Sequence, residues 1–442
     1  MTVAATRQNA ELVISPGWLA PVDADNSLLT QHSVVVSNGR IIDLLPSNAV
    51  HKKYIATEHR ELPQHLLIPG LVNGHGHAAM TLLRGFADDV PLMTWLEQHI
   101  WPTETRWMSE DFVRDGVEIA IAEMLRSGTT CFTDMYFFPN ITAAIAHQRG
   151  IRAQVCFPVL EIETIWAKSS DEYIDKGLQI RDDFNSSSYV QVGFGPHAPY
   201  TVSVPTLERI ATLANQIDCS VHMHVHETTD ELQRCESEFG VRPLQLLQEI
   251  GLTSPRLQCA HMTHLDDTDF TILADSGSHV IHCPESNLKL GSGFCPVQIL
   301  LSQHTNVALG TDGAASNNDL SMLAEMHTAA LLAKGVADDP AAVPAMQALR
   351  MATLNGAKAL GMDEHIGSIS IGKAADLVAV DCSELEAQPM YHPVSQLVYT
   401  QSSHRVSDVW IGGKQLLKNR ELTQMSLPAL IDKANDWRQH MG

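Results

Sequence analysis

His75 and His77 are separated by one residue at the end of the run Leu66-Leu67-Ile68-Pro69-Gly70-Leu71-Val72-Asn73-Gly74-His75-Gly76-His77. On an extended backbone two side chains so spaced leave in the same direction. A pair of imidazoles on one face holds a borderline cation such as Zn²⁺ or Fe²⁺, and Gly74 and Gly76 let the backbone crowd close to it. Read through Ala79, the same residues formally satisfy the dinucleotide pattern G-x-G-x-x-A. Histidines at both variable positions, no helix start after them and no acidic strand end at the right distance argue against a pyrophosphate site.

Later apolar segments end in residues of the same chemistry: Asp134, His197, His224 with Glu227, His261, His282 and Asp312. Packing has no need of imidazoles along one rim, so a shared site is the better reading. His75, His77, His224 and Asp312 would make a mononuclear centre with room for a water whose pKa falls to roughly 7. His222, His224 and His226 alternate and would share one face of a regular strand, so spacing does not choose among them. Glu227 favours His224, because a carboxylate three residues on can lie beside the metal's water without ligating. Ser316-Asn317-Asn318 reads as turn and helix-cap chemistry with no catalytic part.

The elements that must position these residues alternate. Strand-like segments lie near 66–72, 129–134, 151–159, 190–196, 219–226, 256–261, 278–283 and 306–312. Between them run helical patterns. Ser109 caps an apolar stripe of Val113, Val117, Ala120, Ile121, Met124 and Leu125 closed by Gly128, and a second helix begins near Pro205 with Leu207, Ile210, Ala211 and Ala214. Eight strands with intervening helices predict a (β/α)₈ barrel over 64–369, with its chemistry at the C-terminal strand ends. The connection from 73 to 108 is long enough to carry specificity. Both chain ends read differently. Val34-Val35-Val36 and Arg40-Ile41-Ile42 flank the hairpin signal Asn38-Gly39, and strand-and-turn texture returns at 376–380 and 409–413 before a terminal helix over 427–441. Ends of one character bracketing a different middle predict a composite β-sandwich domain from 1–63 plus 370–442.

Composition narrows the function. With 51 Asp and Glu against 29 Lys and Arg among 442 residues, the net charge of -22 repels phosphate backbones and anionic lipid, so neither nucleic acid nor membrane is an expected partner. The eight cysteines are scattered singly without C-x-x-C, which fits a reducing cytoplasm. No basic leader precedes an apolar segment, and no window approaches a membrane span. His226-Glu227-Thr228-Thr229-Asp230 lacks the second histidine of a zinc protease, and P-C-x-x-C of the compact zinc deaminases is absent.

The order His75-x-His77, Gly195-Pro196-His197-Ala198-Pro199-Tyr200, His224-Val225-His226-Glu227, His261, Ser286-Asn287-Leu288-Lys289-Leu290-Gly291-Ser292-Gly293 and Leu309-Gly310-Thr311-Asp312-Gly313-Ala314-Ala315-Ser316-Asn317 resembles the amidohydrolase superfamily. Within it the chain resembles the 5'-methylthioadenosine/S-adenosylhomocysteine deaminases over nearly its whole length. The resemblance implies one Zn²⁺ per chain, with Fe²⁺ as the other candidate, held by His75, His77, His224 and Asp312. It implies that Thr81–Gly85 and the segment around Trp101–Glu104 cover a nucleoside, with Glu104 on the ribose hydroxyls and His197 as a second substrate contact. The expected reaction is deamination of 5'-methylthioadenosine to 5'-methylthioinosine and ammonia, with S-adenosylhomocysteine as a further substrate.

Replacing an aromatic amine by a carbonyl requires hydroxide at C6 of the purine, a proton at N1 and a second proton on the leaving amine. Asp312 can accept the water's proton, Glu227 can shuttle it to N1, and His261 can polarise the attacking oxygen and stabilise the tetrahedral intermediate. Asp312 and Glu227 therefore also count as substrate contacts. Family members taking S-adenosylhomocysteine are expected to offer arginines after the third strand. Here Phe157 stands there, which predicts an apolar tail pocket preferring 5'-methylthioadenosine, with Arg84, Arg106 and Arg152 as the opposing candidates. Hydrolases of guanine, 8-oxoguanine, cytosine and chlorotriazines share the same rim and are the competing reading. A homo-oligomer is expected.

Overall fold

The computed structural model describes residues 7–400 and 402–441. Its architecture is a (β/α)₈ barrel with a small β-sandwich built from both chain ends. The barrel strands are Leu71–Asn73, Thr129–Asp134, Arg152–Val159, Val190–Pro196, Val221–Val225, Leu257–His261, His279–His282 and Val307–Leu309, each pairing with its sequence neighbour. All seven of these pairings are parallel.

Six of the helices around the barrel start at a side-chain cap supplied by the sequence. Ser109, Ser169, Ser203, Thr228, Asp266 and Ser321 each accept a backbone N–H from the first turn of the helix they precede, worth about 1 kcal/mol apiece. The two helices predicted from periodicity run over Glu110–Arg126 and Val204–Ile217. The inward stripe of the first, including Val113, Val117, Ala120 and Ile121, is fully buried.

Strands one and eight close the barrel through two backbone bonds, Gly74 N–H to Leu309 O at 2.8 Å and Asp312 N–H to His75 O at 3.0 Å. A side chain at Gly310 would put its Cβ 2.7 Å from His75 N, so glycine is required for the strands to meet. The other end of the barrel is floored by Leu354–Ala359 and Leu360. Gln154 and Gln258 reach down from strands three and six to donate to Leu360 O and Ala359 O, at 3.4 and 2.7 Å.

The sandwich sheet has nine strands, mostly antiparallel. Gln8–Leu19, Leu29–Thr30, His32–Ser37, Arg40–Pro46 and Tyr54–Pro69 come from one end of the chain, and Leu377–Asp381, Val406–Ile411, Lys414–Lys418 and Glu421–Leu422 from the other. Period-two alternation buries both faces. Leu12, Ile14, Val34 and Val36 pack with Trp410 on one face, while Val13 and Val35 pack with Val50 of the short helix Ser47–Lys53 on the other. Asn38 and Gly39 turn the expected hairpin with φ of 50° and 71°. The terminal helix runs Leu427–Met441. Residues 1–6, 401 and 442, counted in the expected composite domain, lie outside the described residues.

One strand assignment needs correction. The apolar run 66–72 is not one barrel strand. Residues through Pro69 finish the long sandwich strand, pairing with Leu377–Asp381, and the barrel strand begins at Leu71. The switch falls at Gly70, where a Cβ would lie 1.9 Å from the Thr130 hydroxyl, and no other residue lets the chain leave one sheet and enter the next there.

Candidate metal and active site

The nitrogen and oxygen atoms of His75, His77, His224 and Asp312 lie within 4.8 Å of one another. His75 and His77 follow strand one, His224 lies on strand five, and Asp312 follows strand eight. Asp312 has a left-handed backbone, φ 61°, which turns its carboxylate back over the strand ends. Its Oδ1 lies 3.2 Å from Nε2 of both His75 and His77. Its Oδ2 accepts hydroxyls from Ser286 at 2.7 Å and Ser316 at 2.8 Å. Ser316 therefore orients the carboxylate, a part the sequence reading did not give it.

Each imidazole is set by what its other nitrogen bonds. His77 Nδ1 donates to Met135 O at 2.6 Å and His224 Nδ1 to His197 O at 2.8 Å, because a carbonyl only accepts. His75 Nδ1 meets His222 Nε2 at 2.7 Å. In their neutral forms His77 and His224 thus carry their lone pairs on Nε2, and His75 Nε2 is buried without a hydrogen-bond partner. Three imidazoles and one carboxylate aimed at one point fit a divalent cation such as Zn²⁺. Burial opposes charge on His77, but its bond to Asp312 overrides this and pushes it up to about 9. Burial holds His75 down to about 4. Burial opposes the Asp312 anion too, yet the two histidines hold its carboxyl well below the ordinary range. A proton on His77 and a metal ion therefore compete for one carboxylate.

The three alternating histidines of strand five separate by depth and by backbone. His222 is buried beneath His75, rings stacked at 4.9 Å. His226 has φ 55° and turns away, bonding His264 O through Nδ1 and accepting Leu244 N–H at Nε2. Only His224 reaches the cluster. His282 does not join it either. Ile281, its neighbour, faces Gly74 and Gly310, so His282 points to the opposite face of its strand, and neither of its nitrogens finds a partner.

Glu227 and His261 stand beside the four. Glu227 Oε2 lies 3.8 Å from His261 Nε2, and its Oε1 accepts the Ser292 hydroxyl at 3.3 Å. Burial raises the Glu227 pKa. The backbone holding it is pinned independently of its side chain. Glu231 accepts the N–H groups of His226 and Glu227, both at 2.8 Å, and Thr263 donates its hydroxyl to Glu227 O at 2.7 Å. His261 has φ 77° and its Nδ1 faces Asn287 Oδ1 at 2.9 Å. Left-handed non-glycine residues at 226, 261, 262 and 312 concentrate backbone strain at these strand ends.

Glu104 sits on the helix Trp101–Trp107, within the predicted covering segment. Its Oε1 accepts the Tyr136 hydroxyl at 2.5 Å, and the Tyr136 ring lies 6.2 Å from that of His77. Burial pushes Glu104 up to about 7 against the opposing Tyr136 bond, although the residue surface as a whole is only half-buried. The His197 ring packs 4.9 Å from His224, and burial pushes it down to about 4. Tyr136 was missed, although a hydroxyl two residues beyond Asp134 at a strand end was the signal.

Phe157 corrects another expectation. It is fully buried against Phe194 at 4.9 Å and against Gly177 of the outer helix Ser170–Phe184, where a Cβ would touch its ring. It packs between barrel and helix and lines no tail pocket. Arg84 is spent on Glu123, and Arg152 on Asp376. Arg106 stacks over Trp107 at 4.8 Å.

A barrel with this rim defines a class, and the chain belongs to the amidohydrolase family, whose model matches residues 66–416. It is 52% identical to the 5-methylthioadenosine/S-adenosylhomocysteine deaminase of Teredinibacter turnerae, over 97% of each chain. A solved adenosine deaminase from Xanthomonas campestris with bound zinc superposes with a TM-score of 0.98 at 46% identity, covering 99% of both chains. The atrazine chlorohydrolase of Arthrobacter aurescens, with zinc, shares the fold at 22% identity and TM-score 0.89 over 96% of this chain and 99% of that one. All eight cysteines are buried and unpaired, and no helix among the described residues is long and apolar enough to cross a membrane.

Proposed function

We propose that this chain is a metal-dependent hydrolytic deaminase of adenosine-type nucleosides, converting 5'-methylthioadenosine to 5'-methylthioinosine and ammonia and S-adenosylhomocysteine to S-inosylhomocysteine. The observation that carries this is the convergence of His75, His77, His224 and Asp312 beside Glu227 and His261, in a chain 52% identical to a deaminase of that name. The likeness to the chlorohydrolase supports the fold alone.

One Zn²⁺ per chain, held by those four residues, would supply a hydroxide nucleophile at neutral pH. Around it the chain's own groups divide the proton transfers. Asp312 Oδ1 accepts the proton of the attacking water, while Oδ2 stays anchored by two serines. Glu227, with its raised pKa, carries a proton to N1 of the purine. His261, held through Nδ1 by Asn287, keeps Nε2 for the attacking oxygen, which it polarises as the tetrahedral intermediate forms. Glu104 takes the ribose hydroxyls and His197 a further edge of the nucleoside. With Phe157 outside the pocket, the reason for expecting 5'-methylthioadenosine to be preferred falls away. The buried thiols and acidic surface support a cytoplasmic enzyme.

The test is an ultraviolet screen of purine nucleosides and free bases for ammonia release by the zinc-loaded protein. Turnover of both thio-nucleosides, lost with a chelator and restored by Zn²⁺, is the expected result. Turnover of guanine or cytosine in their place overturns the assignment.

A further inference from the structure

Beneath the cluster runs a chain of hydrogen bonds that the catalytic reading leaves unused. It begins at the barrel floor. Ala359 O can only accept, so the Gln258 amide presents Nε2 to it at 2.7 Å and directs Oε1 the other way. That Oε1 lies 2.8 Å from His222 Nδ1, which must therefore carry the hydrogen. A neutral His222 with hydrogen on Nδ1 has a lone pair on Nε2. Nε2 is 2.7 Å from His75 Nδ1, so His75 in turn donates, and its own lone pair moves to Nε2 in the metal cluster. Gln258 and His222 are fully buried, which leaves water no way to supply a substitute partner.

We propose that Gln258 and His222 are positioning residues that fix the tautomer of His75 as a metal ligand, through a relay anchored on the carbonyl of Ala359. The proposal rests on the reading of His75 as a ligand. The other two imidazoles need no such device, because backbone carbonyls at Met135 and His197 set them directly. His75 differs because it faces the barrel interior, where no backbone carbonyl bonds its Nδ1 and side chains must serve instead. Partners of metal-bound histidines characteristically act on ligand orientation and basicity.

The experiment compares Gln258→Leu with Gln154→Leu. Gln154 makes the matching floor contact, to Leu360 O, with no histidine above it in the relay, so it reports the cost of loosening the floor alone. Zinc dissociation constants are measured by competition with a chelating dye, on proteins shown folded by circular dichroism. Gln258→Leu should weaken zinc about 10–100-fold, and Gln154→Leu should leave it within about twofold. Equal losses in the two leucine variants, or none in either, overturn the relay. Should Gln258→Leu fail to fold, ¹⁵N spectra of histidine-labelled wild-type protein decide: hydrogen on Nδ1 of both His222 and His75 is expected, and hydrogen on Nε2 of His222 refutes it. A wild-type chain that takes up no metal refutes the ligand reading itself, and so is distinguishable from failure of the relay.

Discussion

Glu227→Gln separates proton transfer from everything else at this site. The substitution is isosteric, and the backbone that carries it is held by Glu231 and Thr263 through main-chain atoms that the change does not touch. A glutamine carbonyl can still accept from Ser292, which contacts Oε1 at 3.3 Å. No atom of Glu227 belongs to the four-residue cluster. What is removed is the proton-carrying carboxyl, whose pKa burial raises, making it a readier proton donor than an exposed glutamate. A positioned acid–base group contributes about 10²–10⁴-fold in rate, or about 3–5 kcal/mol of barrier. The expected outcome is a loss of that size in kcat, with zinc content by elemental analysis unchanged and KM for 5'-methylthioadenosine little altered. A kcat within about tenfold of wild type removes Glu227 from the chemistry. Loss of the metal would place its carboxylate among the ligands instead.

Other consequences follow from the same geometry. Ser316→Ala deletes one of two hydroxyls on Asp312 Oδ2, a bond to a charged group worth about 1.5–3 kcal/mol, so zinc affinity should fall about tenfold or more by dye competition; an unchanged affinity means the hydroxyl does not orient the carboxylate. Gly310→Ala forces a Cβ to 2.7 Å from His75 N, and urea unfolding of the metal-free protein should show about 1–3 kcal/mol lost, whereas full stability would show that the seam yields freely. Glu104 is protonated below about 7 and ionised above, and the ionised form is the better acceptor for ribose hydroxyls, so kcat/KM should climb through that pH and Glu104→Gln should abolish the climb. Because folding raises that pKa, ionisation of Glu104 erodes stability as pH rises from its ordinary value of 4.5 through about 7, and melting curves of the glutamine variant should lack this decline.

The strand-end histidines were legible in the sequence because a barrel gathers strand ends, and apolar runs ending in His or Asp are costly unless something uses them. The capped helices were legible for a local reason, a Ser or Asp before an apolar stripe. Three things depended on approach between distant segments and so left no local trace. Gly70 looked like any glycine within an apolar run until Thr130 was seen against it. His222 and His226 matched the spacing of His224, and only depth along the barrel and a left-handed turn at His226 remove them from the cluster. Phe157 lay in the right stretch of chain, yet strand alternation turned it outward onto Gly177. Ser316 read only as turn and cap chemistry, whereas it lies within the short helix Ala314–Asn317 and commits its hydroxyl to Asp312.

The crossing at Gly70 bears on how this molecule can be engineered. The strand Tyr54–Pro69 is pinned in the sandwich sheet by Leu377–Asp381, Gly70 N–H is held by Asp376 O, and His75 follows shortly after on the same stiff path. There is no flexible tether to absorb a change. The barrel is therefore not a cassette that can be excised by trimming either end, because the two termini act as a vice on the segment presenting the first imidazoles. Tags and fusions belong beyond that sheet, and a graft of the rim onto another barrel would have to bring the vice along.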